Sequence, residues 1–546
     1  MSSHQKIIDE ILKKRGLSNT KVRNEFLNPG YNKLADPLLL PDMKVACKRI
    51  QKAVKENEKV VIYGDYDIDG LSATALLLDA LGQIGANVSA FIPSRFDDGY
   101  GLSASAVESL AKNGAQLIIT VDCGSLSFDE VLLAKKYDID IIITDHHNVG
   151  DTVPEAVAVI NPKRSDHKYP FKDFAGVGVA FQLVRALQKT LKKPNPGQEK
   201  WLLDLAALGT ICDIVSLTGE NRIIAKWGLE VMKKTRRPGL KALMAVSGIE
   251  PKKLSARSIG FGLGPRLNAS GRLETAKLSL DLLTTTDNEA ALDLAEKLND
   301  MNDKRRRDQA IILDAAEKQA EKYTSDGVLV LSNPEWSHGI VGIVASKLVE
   351  KYHKPTFVLQ EIGEETKGSA RSFGDFSVGN AIKASQDHIK KGGGHHAAAG
   401  VTLDTRKIDD FRRSVNEYHR NLNLKGQEKY LKPQVDFSID NLENIDEMLI
   451  EALAQLEPYG NDNPQPTFHF PEMDVVDIYL MGDKKQHIKL TLKDSQNITL
   501  QALAFSAPEH FFVGSGDKIS AWVTLDINEW RGSRSVEGKL LELELI

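Results

Sequence analysis

The stretch YGDYDIDGLSATALL, residues 63–77, sets Asp65, Asp67 and Asp69 at alternate positions and follows them with Gly70 and an apolar, helix-like run. Carboxylates at this spacing are hard oxygen donors that could hold a divalent cation. A calcium loop of the EF-hand kind begins the same way, but it needs a bidentate Glu at its twelfth position, where this chain has Leu76. The calcium reading therefore fails inside its own motif. Further polar points follow downstream: Asp122 in VDCGS, Asp145, His146 and His147 in TDHH, and Asp213 in LGTICDIV. Together they form a carboxylate and imidazole set without thiolate, which suits Mn²⁺ or Mg²⁺ better than structural zinc. So many carboxylates in one cleft repel unless cations neutralise them. Two divalent ions sharing a bridging Asp would do so, and such a pair serves phosphoryl-ester hydrolysis. Taken singly, each residue also has an ordinary reading as a helix cap or a surface turn. Their conjunction at successive strand and helix ends favours the metal site.

The elements that must position them follow from the hydrophobic pattern. From 59 to 161, short β-rich runs (KVVIYG, VSAFIP, AQLIITVD, IDIIITD) alternate with helical-period segments (SATALLLDALGQIG, SASAVESLAKNG, FDEVLLAKKY). That rhythm predicts an α/β fold, a parallel sheet with helices on both faces. Ligands bind such sheets outside the carboxyl ends of the strands, where GDYDID, DCGS and DHHN stand here. A charged stretch from Asn288 to Tyr323 without Gly or Pro reads as a bridging helix. A second α/β unit runs from GVLVLS to GGGHHAAAGVTL, and the remainder is richer in strands, as in a small barrel. The expected organisation is an N-terminal helical extension (1–44), the metal-bearing parallel-sheet domain (45–220), a helical region with a connecting helix (221–325), the second α/β domain (326–425) and an OB-like β-barrel (426–546).

At 546 residues the chain is too long for one core, and its 42% hydrophobic content suffices for several. Cys47, Cys123 and Cys212 lie far apart without metal-knuckle spacing, and the opening MSSHQKIIDEILKK lacks the apolar core of a signal peptide. The expectation is a reducing, cytoplasmic setting, with no membrane association because no apolar run reaches about 18 residues. A net charge of −5 argues against a uniformly basic nucleic-acid coat but permits a local basic groove.

DYDIDG, VDCGS, TDHH and LGTICDIV resemble, in order and spacing, the motifs of the DHH phosphoesterase superfamily. FGLGPRLNASGRL, KGSARS and GGGHHAAAG resemble its accessory DHHA1 domain, and LDINEWRGSRSV resembles the end of the bacterial single-strand exonucleases of that superfamily. The resemblance covers about residue 45 onward. It implies a monomeric 5′→3′ exonuclease of single-stranded DNA that uses Mn²⁺ or Mg²⁺ in recombination and repair. It also implies a single-strand-binding protein and a RecQ-type helicase as partners. By motif position Asp67, Asp69, Asp122, His146 and Asp213 would be metal ligands, Asp65 a close supporter of catalysis, and His147 a contact to the scissile phosphate. Two positions depart from the family pattern: Cys123 stands where Asn is commoner, and GSARS replaces GSGRS.

For substrate handling, Ser369 and Arg371 alternate on a short strand, so both face one side, where hydroxyl and guanidinium could hold a phosphate; an ordinary edge strand is the alternative. GGGHHAAAG lets a backbone approach closely and lacks the Lys of a Walker loop. Of its two histidines, His395 is the functional candidate by the family's glycine-His pattern. Arg95, Arg266, Asn268 and Arg272 could grip a DNA backbone or make internal contacts. Trp522, Trp530, Arg531 and Arg534 of the barrel could stack on or pair with a single strand, although core packing is the more ordinary role of each aromatic. The competing function is a DHH phosphodiesterase acting on short oligonucleotides or cyclic dinucleotides, whose members generally stop after DHHA1.

Overall fold

The computed structural model describes residues 3–94 and 101–546. They form two compact units, Met1–Gly264 with Lys432–Ile546, and Pro265–Leu431.

Five short apolar runs build the first sheet: β1 (Lys59–Gly64), β2 (Asn87–Phe91), β3 (Leu117–Val121), β4 (Asp140–Thr144) and β5 (Ala158–Ile160). All pair in parallel in the order β2-β1-β3-β4-β5. β3 and the last four residues of β4 are buried, as β-branched runs covered on both faces must be. Helices Ala104–Lys112 and Phe128–Lys136 cover one face, packing Val107, Leu110, Val131 and Ala134 against Val61, Ile118 and Ile141. Helices Ile68–Gln83 and Gly176–Leu191 pack on the sheet and on one another, and helix Leu203–Cys212 packs on both of them. The chain leaves β1 toward β2 on one side and returns to β3 on the other. The order therefore reverses between β1 and β3, the point at which such sheets bind ligands.

In the second unit β6 (Leu329–Asn333), β7 (Thr356–Ile362), β8 (Glu365–Arg371), β9 (Lys391–Gly394) and β10 (Ala398–Asp404) form a sheet in the order β6-β7-β8-β10-β9. It is antiparallel except for the β6–β7 pair. The expected long helix spans Asn288–Ala320, and Ile312, Ala316 and Ala320 near its end join Leu329, Leu331 and Val344 in the core of this unit.

The third sheet comprises β11 (Phe437–Ser438), β12 (Thr467–Met481), β13 (His487–Lys493), β14 (Thr499–Ala504), β15 (Lys518–Trp530) and β16 (Ser533–Leu545). Its strands run β12-β13-β14-β16-β15, and β15 pairs back onto β12, closing a five-stranded barrel with β11 alongside. Helix Ser3–Lys14 does not stand apart as an extension. Its stripe Ile7, Ile8, Ile11 and Leu12 is buried in the barrel's own core with Leu449, Phe468 and Leu490. Trp522 is buried too, stacked on His469 with ring centroids 4.5 Å apart, so it fills the packed role. Arg534 pairs with Glu447 at 3.4 Å, and the side chain of Trp530 lies outside the described residues. No described helix is long and apolar enough to cross a membrane.

Candidate metal centre

The carboxylates gather where the strand order reverses. β1 ends at Gly64, and the chain runs through Asp65 and Asp67 into helix Ile68–Gln83, which carries Asp69 in its first turn. β3 delivers Asp122, β4 delivers Asp145, His146 and His147, and helix Leu203–Cys212 ends at Asp213. Potential ligand atoms fall into three overlapping groups: Asp65, Asp67 and Asp122; Asp122, His146 and His147; and Asp69, His146 and Asp213. Asp122 and His146 are each shared by two groups. His146 Nε2 lies 3.1 Å from Asp122 Oδ1, 3.7 Å from Asp213 Oδ2 and 3.9 Å from Asp69 Oδ2.

Backbone amides orient most of these groups. Asp67 caps its helix, Oδ1 accepting from the amides of Asp69 (2.9 Å) and Gly70 (3.1 Å). Asp69 accepts from the amides of Gly176 (2.5 Å) and Val177 (2.8 Å), the first residues of helix Gly176–Leu191. That helix start approaches so closely that a Cβ on Gly176 would sit 2.6–2.8 Å from the Asp122 side chain. Asp122 has φ +62, in the left-handed region that aspartate tolerates better than most residues, and its amide donates to Thr144 O at 3.0 Å. Asp145 spends both oxygens inside the protein. It accepts from the amides of His146, His147 and Ser125 and from His147 Nδ1 at 2.8 Å. It is a brace, a role the sequence left unassigned, and the only local signal is its place directly before the histidines. That bond to Nδ1 of His147 sets the orientation of its imidazole ring.

The electrostatics ask for cations. Burial first, then the charges of Asp69, Asp67, Asp65 and Asp213, raise Asp122 well above the usual carboxylate range. Burial and the Asp67 charge push Asp69 up to about 7, and burial with Asp69 and Asp67 pushes Asp213 up to about 9. Burial and the neighbouring His147 charge take His146 down to about 3, leaving a neutral imidazole whose buried Nε2 makes no hydrogen bond among the described residues. Burial opposes protonation of His147, but the bond to Asp145 and the nearby carboxylates outweigh it and raise the imidazole. A neutral imidazole amid carboxylates that cannot all ionise unaided, with no thiolate, fits hard divalent ions. Cys123 offers none, since its side chain is buried in the apolar layer with Val61 and Ile143.

The remaining candidates lie in the second unit, except Arg95, which falls outside the described residues. On β8, Ser369 and Arg371 do share a face. Their Oγ and Nη2 each lie 3.3 Å from where a Cβ on Gly342 would stand, so a glycine keeps this corner open. Arg371 Nη1 donates to Ala370 O at 2.9 Å, no carboxylate pairs with it among the described residues, and burial lowers the guanidinium. Ala370 between them is buried in the core, so the departure from GSGRS fills space there. Arg266 donates to Asn299 Oδ1 at 3.0 Å, and Arg272 donates to Gly339 O at 2.9 Å, tying two helices of this unit. Asn268 is half-buried, and His395 and His396 are both exposed.

The model of the DHH family, N-terminal domain, matches residues 59–210, that of the DHHA1 domain residues 325–421, and that of the RecJ OB domain residues 435–542. The single-stranded-DNA-specific exonuclease RecJ of Salmonella typhimurium is 35% identical over 90% of this chain and 88% of its own length. The protein of that name from Bacillus subtilis is 36% identical over 97% of this chain, which spans 66% of that relative. The crystal structure of RecJ in complex with Mn²⁺ from Thermus thermophilus superposes with a TM-score of 0.83 at 28% identity, covering 98% of this chain and 75% of that one.

Proposed function

The chain belongs to the RecJ family of DHH phosphoesterases, and from that premise we propose that it is a metal-dependent 5′→3′ exonuclease of single-stranded DNA serving recombination and repair. The observation that best supports this is Asp122, common to two overlapping ligand groups at the point where the strand order reverses. Asp67, Asp69, Asp122, His146 and Asp213 would hold two Mn²⁺ or Mg²⁺ ions, with Asp65 in support. Such a pair supplies an activated water and stabilises the leaving oxygen of a phosphodiester.

The protein's own groups do the rest. Asp69 and Asp67 are fixed by helix-start amides before any ion arrives. Asp145 holds His147 by Nδ1 and so orients the ring that would contact the scissile phosphate. The buried cleft walls keep bulk water from screening these charges. In the second unit, Ser369 and Arg371 would form an anion seat, with no carboxylate partner for the guanidinium among the described residues. A hydroxyl beside a guanidinium suits a 5′-terminal phosphate, which carries more charge than an internal diester. The closed barrel favours a polymer over the short oligonucleotides of the small-substrate relatives. We place the protein in the cytoplasm as a monomer, with a single-strand-binding protein and a RecQ-type helicase as partners.

The test is digestion of end-labelled single-stranded and duplex DNA with and without Mn²⁺. Single strands shortened from the 5′ end, only with metal, are expected. Equal attack on duplex, or undiminished activity in chelator, would overturn the reading.

A further inference from the structure

The loop 455–463, which leads into the barrel, is braced into one shape by its own chain and its neighbours. Asn463 Nδ2 donates to the carbonyls of Leu456 (2.8 Å) and Pro458 (2.9 Å), and Gly460 and Asn463 exchange backbone hydrogen bonds. The guanidinium of Arg222, 1% exposed, donates to the carbonyls of Glu457 (2.8 Å), Gln455 (3.4 Å) and Pro458 (3.4 Å) and stacks 3.9 Å over the Phe26 ring. A buried cation demands such partners, so this loop and helix Gly219–Met232 hold one another.

What the braced loop presents is Asn461. Its Nδ2 donates to Ile214 O at 3.0 Å, and its backbone carbonyl accepts from the amide of Leu217 at 2.9 Å. Asn461 thereby bridges both ends of the turn that follows Asp213. The turn needs holding. Ile214 has φ +61, a left-handed conformation that β-branched residues strongly avoid, and its side chain is 71% exposed, so packing does not pin it. Asp213 depends on that turn more than Asp67 and Asp69 depend on theirs. Its carboxylate accepts no hydrogen bond among the described residues, whereas Asp67 and Asp69 are each fixed by two amides. Asp462, the next loop residue, lines a cleft of about 600 Å³ together with His146, Val215 and Ser216.

We propose that Asn461 is a positioning residue: by clamping the left-handed turn at Ile214 it aims the Asp213 carboxylate at the metal centre, coupling the barrel's entry loop to ion binding. The inference rests on the reading of Asp213 as a ligand. Its test measures Mn²⁺ binding by titration calorimetry on the full chain, beside single-strand affinity in chelator. Asn461→Ala is expected to weaken Mn²⁺ binding about tenfold, the usual cost of losing a group that orients a ligand, with single-strand affinity changed less than about twofold. Adding Ile214→Gly, which removes the left-handed penalty, should restore most of the Mn²⁺ affinity. If Asn461→Ala fails to fold, Asn461→Asp, of nearly equal size but without the donor, carries the same expectation. Asp213→Asn is the control. If it weakens Mn²⁺ binding while the Asn461 variants bind normally, or if Ile214→Gly restores nothing, the clamp is overturned and the ligand reading stands. If Asp213→Asn binds Mn²⁺ like the unaltered protein, the ligand reading itself is wrong.

Discussion

Two histidine pairs, one in each unit, are held in opposite ways. His146 is buried and His147 half-buried; Asp145 accepts from both backbone amides and one ring, and Asn161 Nδ2 donates to the His147 carbonyl at 2.9 Å. Among the described residues His395 and His396 are fixed through their main chain alone: the amides of Gly379 and Val378 donate to their carbonyls at 3.1 Å each, and the imidazoles stand exposed. The first pair is aimed before any ligand binds. The second supplies a rigid backbone with side chains left for a ligand to order. Losses in the first site should therefore be large and metal-linked, and losses in the second smaller and substrate-linked.

The largest effect falls on Asp122. Asp122→Ala should remove hydrolysis, at least about 10³-fold, because one carboxylate serves two ligand groups. Activity within tenfold of the unaltered protein would erase the contrast between the sites. The same residue burdens the metal-free fold, since burial and four neighbouring carboxylates oppose its ionisation. Asp122→Asn should therefore raise the melting temperature in chelator while abolishing turnover.

Next comes Asp145→Asn, which keeps the ligands but loosens His147. A loss of about 10–100-fold in turnover is expected, with Mn²⁺ still bound on elemental analysis. The His147–Asp145 pair raises the imidazole, so its stabilising contribution is full below the ordinary histidine value and fades as pH rises through the folded one. In Asp145→Asn that fade should vanish from the pH dependence of melting.

Metal loading gives a pH signature. In the metal-free protein Asp69 stands at about 7 and Asp213 at about 9, both raised, burial being the first cause. The folded chain then keeps protons that the unfolded chain sheds near pH 4, so its stability without metal falls as pH climbs through the range between. Binding ions must expel these protons. Mn²⁺ affinity should rise from about pH 6 to 9, with more protons released near pH 6.5 than near 9.5 when calorimetry is run in buffers of different ionisation heat. Affinity independent of pH would mean that the cluster is already ionised.

Much of this first site is legible in the sequence because strand ends are local signals. An apolar β-branched run stopping at Asp or DHH announces both the strand and its functional tip. Contacts distant along the chain carry no such signal. Asp69 reads as a ligand, yet the amides that aim it belong to Gly176 and Val177, over a hundred residues on. The stripe of Ile7, Ile8, Ile11 and Leu12 marks helix Ser3–Lys14 as amphipathic but cannot say that the barrel core receives it. Asn461 looks like a turn residue in GNDNP, and its grip on Ile214 follows only from the fold. Arg272 reads equally as a cation for DNA or as an internal contact, and only the fold supplies the carbonyl of Gly339 to which it donates.

In the second unit the expected effects shrink. Arg371→Ala should lose most of the preference for 5′-phosphorylated over 5′-hydroxyl single strands, about tenfold, the scale of one charge-assisted hydrogen bond, while slow metal-dependent cleavage remains. An undiminished preference would move end recognition away from the Ser369 and Arg371 corner.

The smallest effect separates the two exposed histidines. His395 follows Gly394 directly, and its amide donates to Ala398 O at 2.9 Å, closing the turn between β9 and β10. That bond survives replacement of the side chain, so His395→Ala should leave melting unchanged. If the imidazole touches the substrate backbone, kcat/KM on single strands should fall about fivefold, near 1 kcal/mol for one exposed hydrogen bond. His396→Ala serves as the neighbour control and should change kcat/KM less than about twofold. Equal losses in both variants would assign the effect to the loop as a whole, and a loss confined to His396→Ala would transfer the role to that residue. A drop in Mn²⁺ affinity in either variant would contradict the division drawn between the two histidine pairs, because neither ring belongs to the ligand groups around Asp122.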